Sequence, residues 1–302
     1  MLSESAIVER VRRNASPGSG SRIILGIGDD CAVYRPAPDE DLVVTTDFLI
    51  EDVHFRRETH KAADIGYIAL ARGLSDIAAM GAQPRFCLLS LALPDWVDTP
   101  WINRFYTALL ALASDSGAAL AGGDLAHAAK LTCDIVCCGS VPKGSALRRD
   151  RARAGDEIYV SGLLGGSALG LESGKGRAWK RHIRPEPRLK LGSFLRSKLH
   201  ASAAMDLSDG LSLDLARLCR ASRVSAEIEA PPAFPGASLA QALHGGEDYE
   251  LLFTVPRGTT VPAAFEGLRL TRIGEIRKGR SGLVSLNGQP LAPLGFDHFA
   301  SK

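Results

Sequence analysis

The sequence lacks the short motifs that identify the commonest nucleotide-binding enzymes. It has no Gly-x-x-x-x-Gly-Lys-Ser/Thr loop, neither the His-Arg-Asp nor the Asp-Phe-Gly motif of protein kinases, and no Gly-x-Gly-x-x-Gly correctly placed after a strand. These absences exclude a P-loop enzyme, a protein kinase and a dinucleotide-binding fold. The glycine-rich turn 162–167 is either a phosphate cradle at a helix N-terminus or a simple connection.

Long apolar runs and a strong net charge are missing as well. No uninterrupted apolar stretch reaches membrane-spanning length, and Met1–Arg13 contains no apolar signal-peptide segment. We therefore expect a cytoplasmic protein with no membrane partner. The formal net charge is +2, and basic residues cluster only in the segment 148–153, so we expect no nucleic-acid partner either.

The six cysteines form no Cys-x-x-Cys pair and no regular framework. In an intracellular enzyme of this size, cysteines are usually reduced, so we expect small buried hydrophobic side chains and no cysteine-bound metal. Leu131–Val141 alternates like a half-buried strand, which places Cys137 and Cys138 on opposite faces.

Length and composition indicate two domains of mixed α/β structure. The chain has 302 residues, 45% of them hydrophobic and 23% charged, which is ordinary for globular proteins but long for one domain. A proline, glycines and arginines between Val141 and Gly155 place the boundary near residue 145, giving domains 1–144 and 145–302. The predicted strands are Ile23–Ile27, Leu42–Thr46, Phe86–Leu93, Ala118–Ala121, Leu131–Val141, Glu157–Ser161, Tyr249–Val255 and Leu268–Ile276. The predicted helices are Ala62–Met80, Trp101–Ser114, Pro187–Leu199 and Met205–Ser222.

Aspartates recur where short predicted strands end. Asp30 follows Ile-Leu-Gly-Ile-Gly-Asp, Asp47 follows Val-Val-Thr-Thr, and Asp124 follows Ala-Leu-Ala-Gly-Gly. Binding groups converge at strand ends in α/β folds, and carboxylates with hydroxyls are the hard oxygen ligands that magnesium prefers. Because the pattern repeats, it predicts a site for several magnesium ions and phosphate. The alternative for each acid is a turn residue or a helix N-cap.

Two further acids are open to two interpretations from the residues alone. Asp76 lies inside a predicted helix and is either a metal ligand or the partner of Arg72, one turn earlier. Asp209 follows Asp206 and Ser208 just before a helix, so Ser208 or Asp209 is either a ligand or the N-cap of that helix.

Six segments occur in the order typical of one family. They are Gly26–Asp30, Thr45–Phe55, Leu74–Ala82, Gly122–Asp124, Met205–Leu211 and Gly245–Leu251. In this order they resemble the thiamine-monophosphate kinase family, and the match extends from about residue 26 to Gly295–Phe299. One such motif is weak, whereas the ordered set is specific.

The resemblance implies a two-domain fold shared with aminoimidazole ribonucleotide synthetase, with an α/β domain at each end of the chain. The N-terminal mixed-sheet domain would bind metal and ATP and form a homodimer through its sheet. The C-terminal domain would complete the nucleotide and substrate sites, with ATP between the two. The implied reaction is direct, in-line phosphorylation of thiamine monophosphate by ATP with several Mg²⁺ ions. A phosphate acceptor carries a nucleophilic oxygen near neutral pH, so no general base is required.

The resemblance also implies individual roles. The expected magnesium ligands are Asp30, Thr45, Thr46, Asp47, Asp76, Asp124, Asp206 and Asp209. The expected nucleotide contacts are Tyr106, Gly123, Asp124, Arg149 and Ser208. The expected contacts of thiamine monophosphate are His54, Glu247 and Phe296.

The chain departs from the usual family pattern at Leu125, where threonine is common, Asp52, where glycine is usual, and Cys31, where alanine is frequent. The segment 222–244 is also short for the family. The alternatives are another ATP-dependent enzyme of the same superfamily or a non-catalytic nucleotide-binding relative. No cysteine precedes Cys31 and none lies at the C-terminus, which argues against selenophosphate synthetase and the hydrogenase maturation factor.

Overall fold

The computed structural model describes residues 4–15, 22–27 and 32–296. The chain divides into two compact units of mixed α/β structure. The first unit contains the chain up to Ile77 and Ala82–Ser145, and the second contains Ala78–Gly81 and the chain from Ala146 onward. The two units are described separately below.

The first unit is built on a four-stranded sheet in the order β3-β6-β4-β5. Strands β3 and β6 are antiparallel, as are β6 and β4, whereas β4 and β5 are parallel. A small antiparallel pair, β1-β2, precedes the sheet. The elements are α1 (Glu4–Asn14), β1 (Ile23–Leu25), β2 (Val33–Tyr34), β3 (Glu40–Ile50), α2 (Ala62–Ala79), β4 (Gln83–Leu93), α3 (Thr99–Ser116), β5 (Ala119–His127) and β6 (Thr132–Pro142).

Helix α2 lies unusually close to its neighbours because glycines face them. A Cβ added at Gly73 would lie 2.7 Å from Sγ of Cys137 on β6, and one at Gly66 would lie 2.2 Å from the carbonyl oxygen of Phe105 on α3. Any side chain at these positions would push the elements apart. The close approach brings the polar residues of α2 within reach of the inner face of the sheet.

The second unit contains a larger sheet in the order β14-β13-β9-β12-β7-β10-β8, with β11 paired to β12. Most neighbouring strands are antiparallel, and β13 and β9 are parallel. The elements are β7 (Glu157–Ser161), α4 (Gly166–Ser173), α5 (Gly176–Ile183), α6 (Leu189–Phe194), a π-helical turn (Leu195–Leu199), β8 (Ala203–Asp206), α7 (Leu211–Ser222), β9 (Ser225–Ile228), α8 (Leu239–His244), β10 (Leu251–Val255), β11 (Ala264–Phe265), β12 (Leu268–Arg277), β13 (Val284–Leu286) and β14 (Gln289–Pro290).

Strand β10 is buried on both of its faces. Leu252 belongs to one apolar cluster together with Leu215 and Leu218 of α7, whereas Leu251 and Phe253 belong to a second cluster. A strand covered on both sides is a nearly continuous apolar run, and Leu251–Val255 is interrupted only by the buried Thr254. Its two neighbours, β7 and β8, are therefore held in a rigid position.

Two predicted strands ended several residues too early, and the error moves two proposed ligands. The strand predicted at Leu42–Thr46 is Glu40–Ile50, so Asp47 lies within β3 and not at its end. The strand predicted at Ala118–Ala121 continues to His127, so Asp124 lies within β5. In both cases polar or small residues interrupt the apolar run, and the strand continues beyond them with residues 48–50 and 125–127.

Two helix predictions were also partly wrong. Met205 and Asp206 end strand β8, and the following helix begins at Leu211 because Gly210, with φ 114°, breaks the chain direction before it. The helix predicted at Pro187–Leu199 begins at Leu189, and its last five residues form the π-helical turn. The helix predicted at Ala62–Met80 and the strand Glu157–Ser161 are confirmed to within a residue.

Five cysteines are buried and free, as the prediction requires, and Cys31 lies outside the described residues. Cys137 pairs with Thr45 in the sheet register and Cys138 with Val44, so the two thiols lie on opposite faces. Burial raises the pKa of Cys87 to about 12, which keeps that thiol protonated. Among the described residues, no helix has the length and apolar character that a membrane span requires.

Candidate functional site

Three of the predicted ligands, two on strand β3 and one on helix α2, lie at the inner face of the first unit's sheet. Exposure alternates along β3, and Thr45 and Asp47 are on the less exposed face. The Thr45 hydroxyl donates a hydrogen bond to Oδ2 of Asp76 on α2, at 2.5 Å. The structure therefore brings Thr45, Asp47 and Asp76 to the same side of the sheet, where α2 packs.

Arg72 on α2 is a fourth member of this group. Its Nε lies 3.0 Å from Oδ2 of Asp47 and its Nη2 lies 2.8 Å from Oδ1, so the guanidinium donates to both oxygens of the carboxylate. The fold pairs Arg72 with Asp47 of strand β3. The pair with Asp76, one turn later on α2, stays a prediction.

Thr46 points the other way. Its hydroxyl donates to Oδ1 of Asp134 at 2.5 Å, on the face that also exposes Val44 and Phe48. The predicted role of the Thr46 hydroxyl beside Thr45 does not fit this geometry, because successive side chains of a strand point to opposite faces.

Asp124 lies in strand β5, opposite Ser90 of β4. Ser90 in turn pairs with Asp134, so Asp124 is in register with the outer-face row. The side chain is exposed, and its Oδ1 accepts a hydrogen bond from the Leu125 N–H at 2.9 Å. A Cβ on the preceding Gly123 would lie 1.9 Å from the carbonyl oxygen of Leu89, so only glycine fits there.

His54 and Tyr106 are two further predicted residues of the first unit. His54 is half-buried, and its Nδ1 accepts the Ile50 N–H at 3.0 Å, which leaves the ring proton on Nε2. Tyr106 is buried on α3 and lines a cavity of about 590 Å³ together with Ile7 and Val11 of α1. Burial raises the pKa of Tyr106. Asp30 lies outside the described residues.

In the second unit, two acidic loops lie side by side. The loop after β8 and the loop before β10 extend the β8-β10 pairing through backbone hydrogen bonds: Leu207 N–H to Glu250, Tyr249 N–H to Leu207, and Glu247 N–H to Ser208, at 2.7–2.9 Å. The loops approach this closely because a Cβ at Gly246 would lie 2.7 Å from the Ser208 carbonyl oxygen. Two motifs that are distant in sequence thus become one surface.

This surface gathers five of the predicted residues of the second unit. The Phe296 N–H donates to the carbonyl oxygen of Asp209 at 3.0 Å, which brings the C-terminal aromatic residue to the acidic loop. Asp206 is buried at the end of β8, whereas Phe296 is 44% exposed. The group that the structure assembles is Asp206, Ser208, Asp209, Glu247 and Phe296.

The hypothesis that Ser208 or Asp209 caps helix α7 is wrong. Gly210 occupies the cap position, and the buried Asp214 accepts the N–H groups of Asp209 and Gly210, each at 3.0 Å. Asp209 is therefore free of a capping role, and its carboxylate pairs with Arg217. Burial, with a contribution from the charge of Asp209, raises the pKa of Asp214 to about 6.

The glycine-rich turn before α4 already holds an internal anion. Oδ2 of Asp248 accepts the Gly165 N–H at 2.5 Å, and Oδ1 accepts the Ser167 N–H at 3.0 Å. These two N–H groups are the donors that a phosphate would need, so the turn serves to hold the Glu247–Tyr249 loop. Burial raises the pKa of Asp248 to about 6.

Glu250 is the centre of a buried ion network. Nε and Nη2 of Arg188 donate to its two oxygens at 2.9 and 2.7 Å, Arg181 contacts Oε1, and Ser161 donates to Oε2 at 2.5 Å. Burial alone would raise the pKa of Glu250, but the two guanidinium groups outweigh it and lower the pKa. The network anchors the end of the acidic loop to α5 and to the segment before α6.

His182 on α5 contacts the predicted substrate ligand Glu247. Its Nδ1 lies 2.9 Å from the Ser167 hydroxyl and 3.5 Å from Oε2 of Glu247. Burial lowers the pKa of His182 to about 4, so the ring is neutral at neutral pH. Glu247 itself has φ 63°, a left-handed conformation that costs free energy for a residue with a side chain.

Arg149 is exposed, and its carbonyl oxygen accepts the Ser222 hydroxyl at 2.8 Å. Arg148 pairs with Asp150, which supports its interpretation as an ordinary surface residue. In the ranges 4–15, 22–27 and 32–296, no three histidine, cysteine, aspartate or glutamate side chains come together as a ready metal-binding group. The inner face of the first unit supplies two of these acids, with Thr45 as a third oxygen donor.

Comparison with known proteins identifies the family. Two family models match, described as AIR synthase related protein, N-terminal domain (residues 28–141) and C-terminal domain (residues 153–286). The thiamine-monophosphate kinase of Salmonella typhimurium is 40% identical over 91% of this chain and 92% of its own. That of Bacillus subtilis is 35% identical over 92% and 94%. The chain belongs to the thiamine-monophosphate kinase family.

Solved structures agree with this assignment. The thiamine-monophosphate kinase of Stenotrophomonas maltophilia has a TM-score of 0.85 at 38% identity, covering 96% of this chain and 98% of that one. AaThiL complexed with AMPPCP and TMP has a TM-score of 0.80 at 30% identity, covering 98% and 97%. The hydrogenase maturation protein HypE, at 19% identity and a TM-score of 0.80, shares the fold alone.

Sequence reasoning missed the contacts that hold the acids in place. Arg72, Arg217, Asp214, Asp248 and His182 make the contacts described above, and each except Asp214 and Arg217 acts on a residue far away in sequence. Asp214 and Arg217 were accessible to prediction, because Asp214 lies in the first turn of α7 and Arg217 is three residues later on the same helix.

Proposed function

We propose that this member of the thiamine-monophosphate kinase family transfers the γ-phosphate of ATP directly to thiamine monophosphate, with several Mg²⁺ ions, to give thiamine diphosphate. Family membership supports the activity and both substrates, since a relative is solved with AMPPCP and TMP together. The observation in this chain that carries the proposal is the joining of the 206–209 and 245–250 loops. It gathers Asp206, Asp209, Glu247 and Phe296 on one surface.

The residues present fit magnesium. The inner face of the first unit offers oxygen donors from Thr45, Asp47 and Asp76, which is the donor class that Mg²⁺ takes. A cation already occupies this position, since the Arg72 guanidinium lies on the Asp47 carboxylate. We infer that Asp47, Asp76 and the Thr45 hydroxyl hold ions on the inner face, and that Asp124 holds an ion on the outer-face row. Asp30, Asp206, Asp209 and the main chain of Thr46 are the remaining proposed ligands. Bound there, Mg²⁺ would offset the repulsion between the two phosphate groups.

The chain needs no general base for this reaction. A phosphate monoester has a second pKa of about 6, so thiamine monophosphate brings its own nucleophilic oxygen at neutral pH. The buried acids Asp214, Asp248 and Glu250 bind backbone N–H groups or arginines, and the buried His182 is neutral. These residues hold the loops, and the work left to the site is positioning and charge stabilisation.

The remaining roles are divided between the two parts of the chain. We propose that residues 1–144 bind metal and ATP through Tyr106, Gly123 and Asp124, and that residues 145–302 complete the site. There, Ser208 and Arg149 contact ATP. On the substrate side, Glu247 and His54 bind thiamine monophosphate, and Phe296 offers an exposed ring for its aromatic rings.

We also propose that the chain forms a homodimer through the outer face of its four-stranded sheet. Leu42, Val44 and Phe48 on β3 are 44%, 62% and 54% exposed on one face of the strand, with Thr46 between Val44 and Phe48. A second copy of the same face would bury these side chains. Val44→Glu should shift sedimentation from dimer to monomer, and an unchanged dimer would exclude this face.

The activity is tested by incubating purified protein with ATP, Mg²⁺ and thiamine monophosphate and separating the products. We expect thiamine diphosphate and ADP in equal amounts, and none when thiamine replaces its monophosphate. Absence of thiamine diphosphate contradicts the activity. ATP made chiral at the γ-phosphorus should give inverted product, because one in-line displacement inverts the phosphorus. Retention would require a phosphoenzyme and contradict direct transfer.

A further inference from the structure

Arg72 and Asp47 form an ion pair in which the guanidinium binds both oxygens of the carboxylate. Nη2 and Nε of Arg72 bind Oδ1 and Oδ2 of Asp47 at 2.8 and 3.0 Å, in the parallel two-bond geometry of guanidinium and carboxylate. The side chains are only 11% and 23% exposed, so water screens the pair weakly. Arginine remains protonated at every accessible pH, so this positive charge is permanent.

The position of Arg72 follows from the close approach of α2 to the sheet. Gly73 sits against Cys137 of β6, and Cys137 is the register partner of Thr45 on β3. The preceding residue on α2 is therefore held above the inner face of β3, beside Asp47. The pair is a consequence of the packing of α2 and not of a flexible surface contact.

The same carboxylate is a proposed magnesium ligand. Both of its oxygens accept hydrogen bonds from the guanidinium, so a metal ion can bind Asp47 only by displacing at least one of these bonds or by sharing an oxygen with a neighbouring positive charge. Either outcome costs metal-binding free energy, and repulsion between Arg72 and the incoming ion adds to that cost.

We propose that Arg72 is a positioning residue that acts as the resident counter-cation of Asp47: it fixes the carboxylate in the metal-free protein and competes there with magnesium. This inference rests on the proposed function, because it requires Asp47 to be a ligand. Arg72 then limits the affinity of the nucleotide-free protein for divalent ions.

The probe is Mn²⁺ alone, which shares the oxygen-donor preference of Mg²⁺ and whose free concentration is measured by electron paramagnetic resonance. It is titrated into the full-length, nucleotide-free protein. We expect Arg72→Met to bind Mn²⁺ about 10-fold more tightly than the wild type, since it removes the competing charge but keeps an unbranched side chain of similar length. Arg72→Lys keeps the charge without the two-bond fork and should fall between the two.

Arg85→Met is the matched control. Arg85 is also a part-buried arginine of the first unit, with Nη2 2.8 Å from Oε1 of Glu40 and Nε 2.8 Å from the Ser140 hydroxyl. Glu40 precedes Asp47 by seven residues on the same strand, which separates them by about 23 Å. Removing this guanidinium should leave Mn²⁺ affinity unchanged. If Arg85→Met tightens binding as much as Arg72→Met does, the effect is one of net charge and the inference is wrong.

Asp47→Asn separates the inference from the function on which it rests. We expect it to weaken Mn²⁺ binding, and to abolish the gain from Arg72→Met when the two changes are combined. Weakened binding in Asp47→Asn with unchanged affinity in Arg72→Met overturns the role of Arg72 and leaves the metal site intact. Unchanged binding in Asp47→Asn removes Asp47 from the site and overturns both. If Arg72→Met does not fold without metal, Arg72→Gln takes its place with the same expected direction.

Discussion

The two units present their acids in contrasting ways. In the first unit, Asp47 and Asp76 project from a strand and a helix onto one face of a sheet, where they bind the side chains of Arg72 and Thr45. In the second unit, the acids lie in two loops joined by backbone hydrogen bonds, and several are buried. Rigid elements position the first set, and other acids position the second.

The difference shows that an acid-rich motif contains two kinds of carboxylate. Within the segment 247–250, Asp248 binds backbone N–H groups and Glu250 binds two arginines, which leaves Glu247 as the acid with a partly exposed side chain. Within 206–214, Asp214 plays the structural part and Asp209 faces outward with Arg217. Mutations in the second unit should therefore separate into those that unfold the loops and those that leave them folded.

Glu250→Gln should have the largest effect on stability. The change leaves the guanidinium groups of Arg181 and Arg188 without their buried counter-charge, which typically costs about 3–5 kcal/mol. Urea denaturation followed by the fluorescence of Trp179, in a Trp96→Phe and Trp101→Phe background, reports this unit.

Glu266→Gln is the control for that experiment. Glu266 pairs with Lys190 at 3.0 Å, but both side chains are mostly exposed, so the loss should be about 0–1 kcal/mol. Equal losses in the two variants would show that the Glu250 network does not hold the acidic loop.

His182→Gln should change how stability depends on pH. The pKa of His182 is lowered from 6.5 to about 4 in the folded protein, so the unfolded chain takes up this proton first as the pH falls. The wild type therefore loses about 2–3 kcal/mol between pH 6.5 and pH 4 that the glutamine variant does not lose.

Asp214 and Asp248 act in the opposite direction. Their pKa values are raised to about 6 in the folded protein, so the folded state takes up these protons before the unfolded chain and gains stability as the pH falls below about 6. Both remain in the variant, so the difference between the two denaturation curves isolates His182. Parallel curves of melting temperature against pH would contradict a buried neutral histidine.

Asp214→Asn should destabilise the protein more than Asp209→Asn does. Oδ2 of Asp214 accepts both N–H groups and Oδ1 binds Arg217, so an asparagine that keeps the first contacts loses the second. Loss of such a charged hydrogen bond costs about 2 kcal/mol. Asp209 has a partly exposed pair, so its loss should cost less than about 1 kcal/mol. A stability loss that is larger in Asp209→Asn would reverse the roles assigned to these acids.

Thr45→Val and Thr46→Val are the smallest changes and sharpen the contrast within one strand. The Thr45 hydroxyl is a proposed metal ligand and also binds Asp76, so its removal should lower turnover about 10-fold or more. The Thr46 hydroxyl binds Asp134 on the other face, and turnover should change less than 2-fold. Equal losses of turnover would place both hydroxyls at the reaction.

The sequence was sufficient to predict most elements and the acids, but not which face each acid occupies. Asp47 and Asp124 were predicted at strand ends because the apolar run stops before them, whereas β3 resumes with apolar residues at 48–50 and β5 continues through 125–127. Asp47 and Arg72 are 25 residues apart, and Gly165 and Asp248 are 83 apart. Such pairs depend on tertiary packing, which local periodicity does not encode.

The most direct measurement is the rate of thiamine diphosphate formation by Asp47→Asn and Asp209→Asn, one acid from each unit, with saturating ATP, Mg²⁺ and thiamine monophosphate. Each protein should remain folded by circular dichroism and lose at least about 100-fold in kcat. Each change removes a carboxylate that holds a magnesium ion, and that ion offsets the negative charge of the phosphates during transfer. Near-wild-type rates in either variant would contradict a metal-clamped transfer that uses acids from both units.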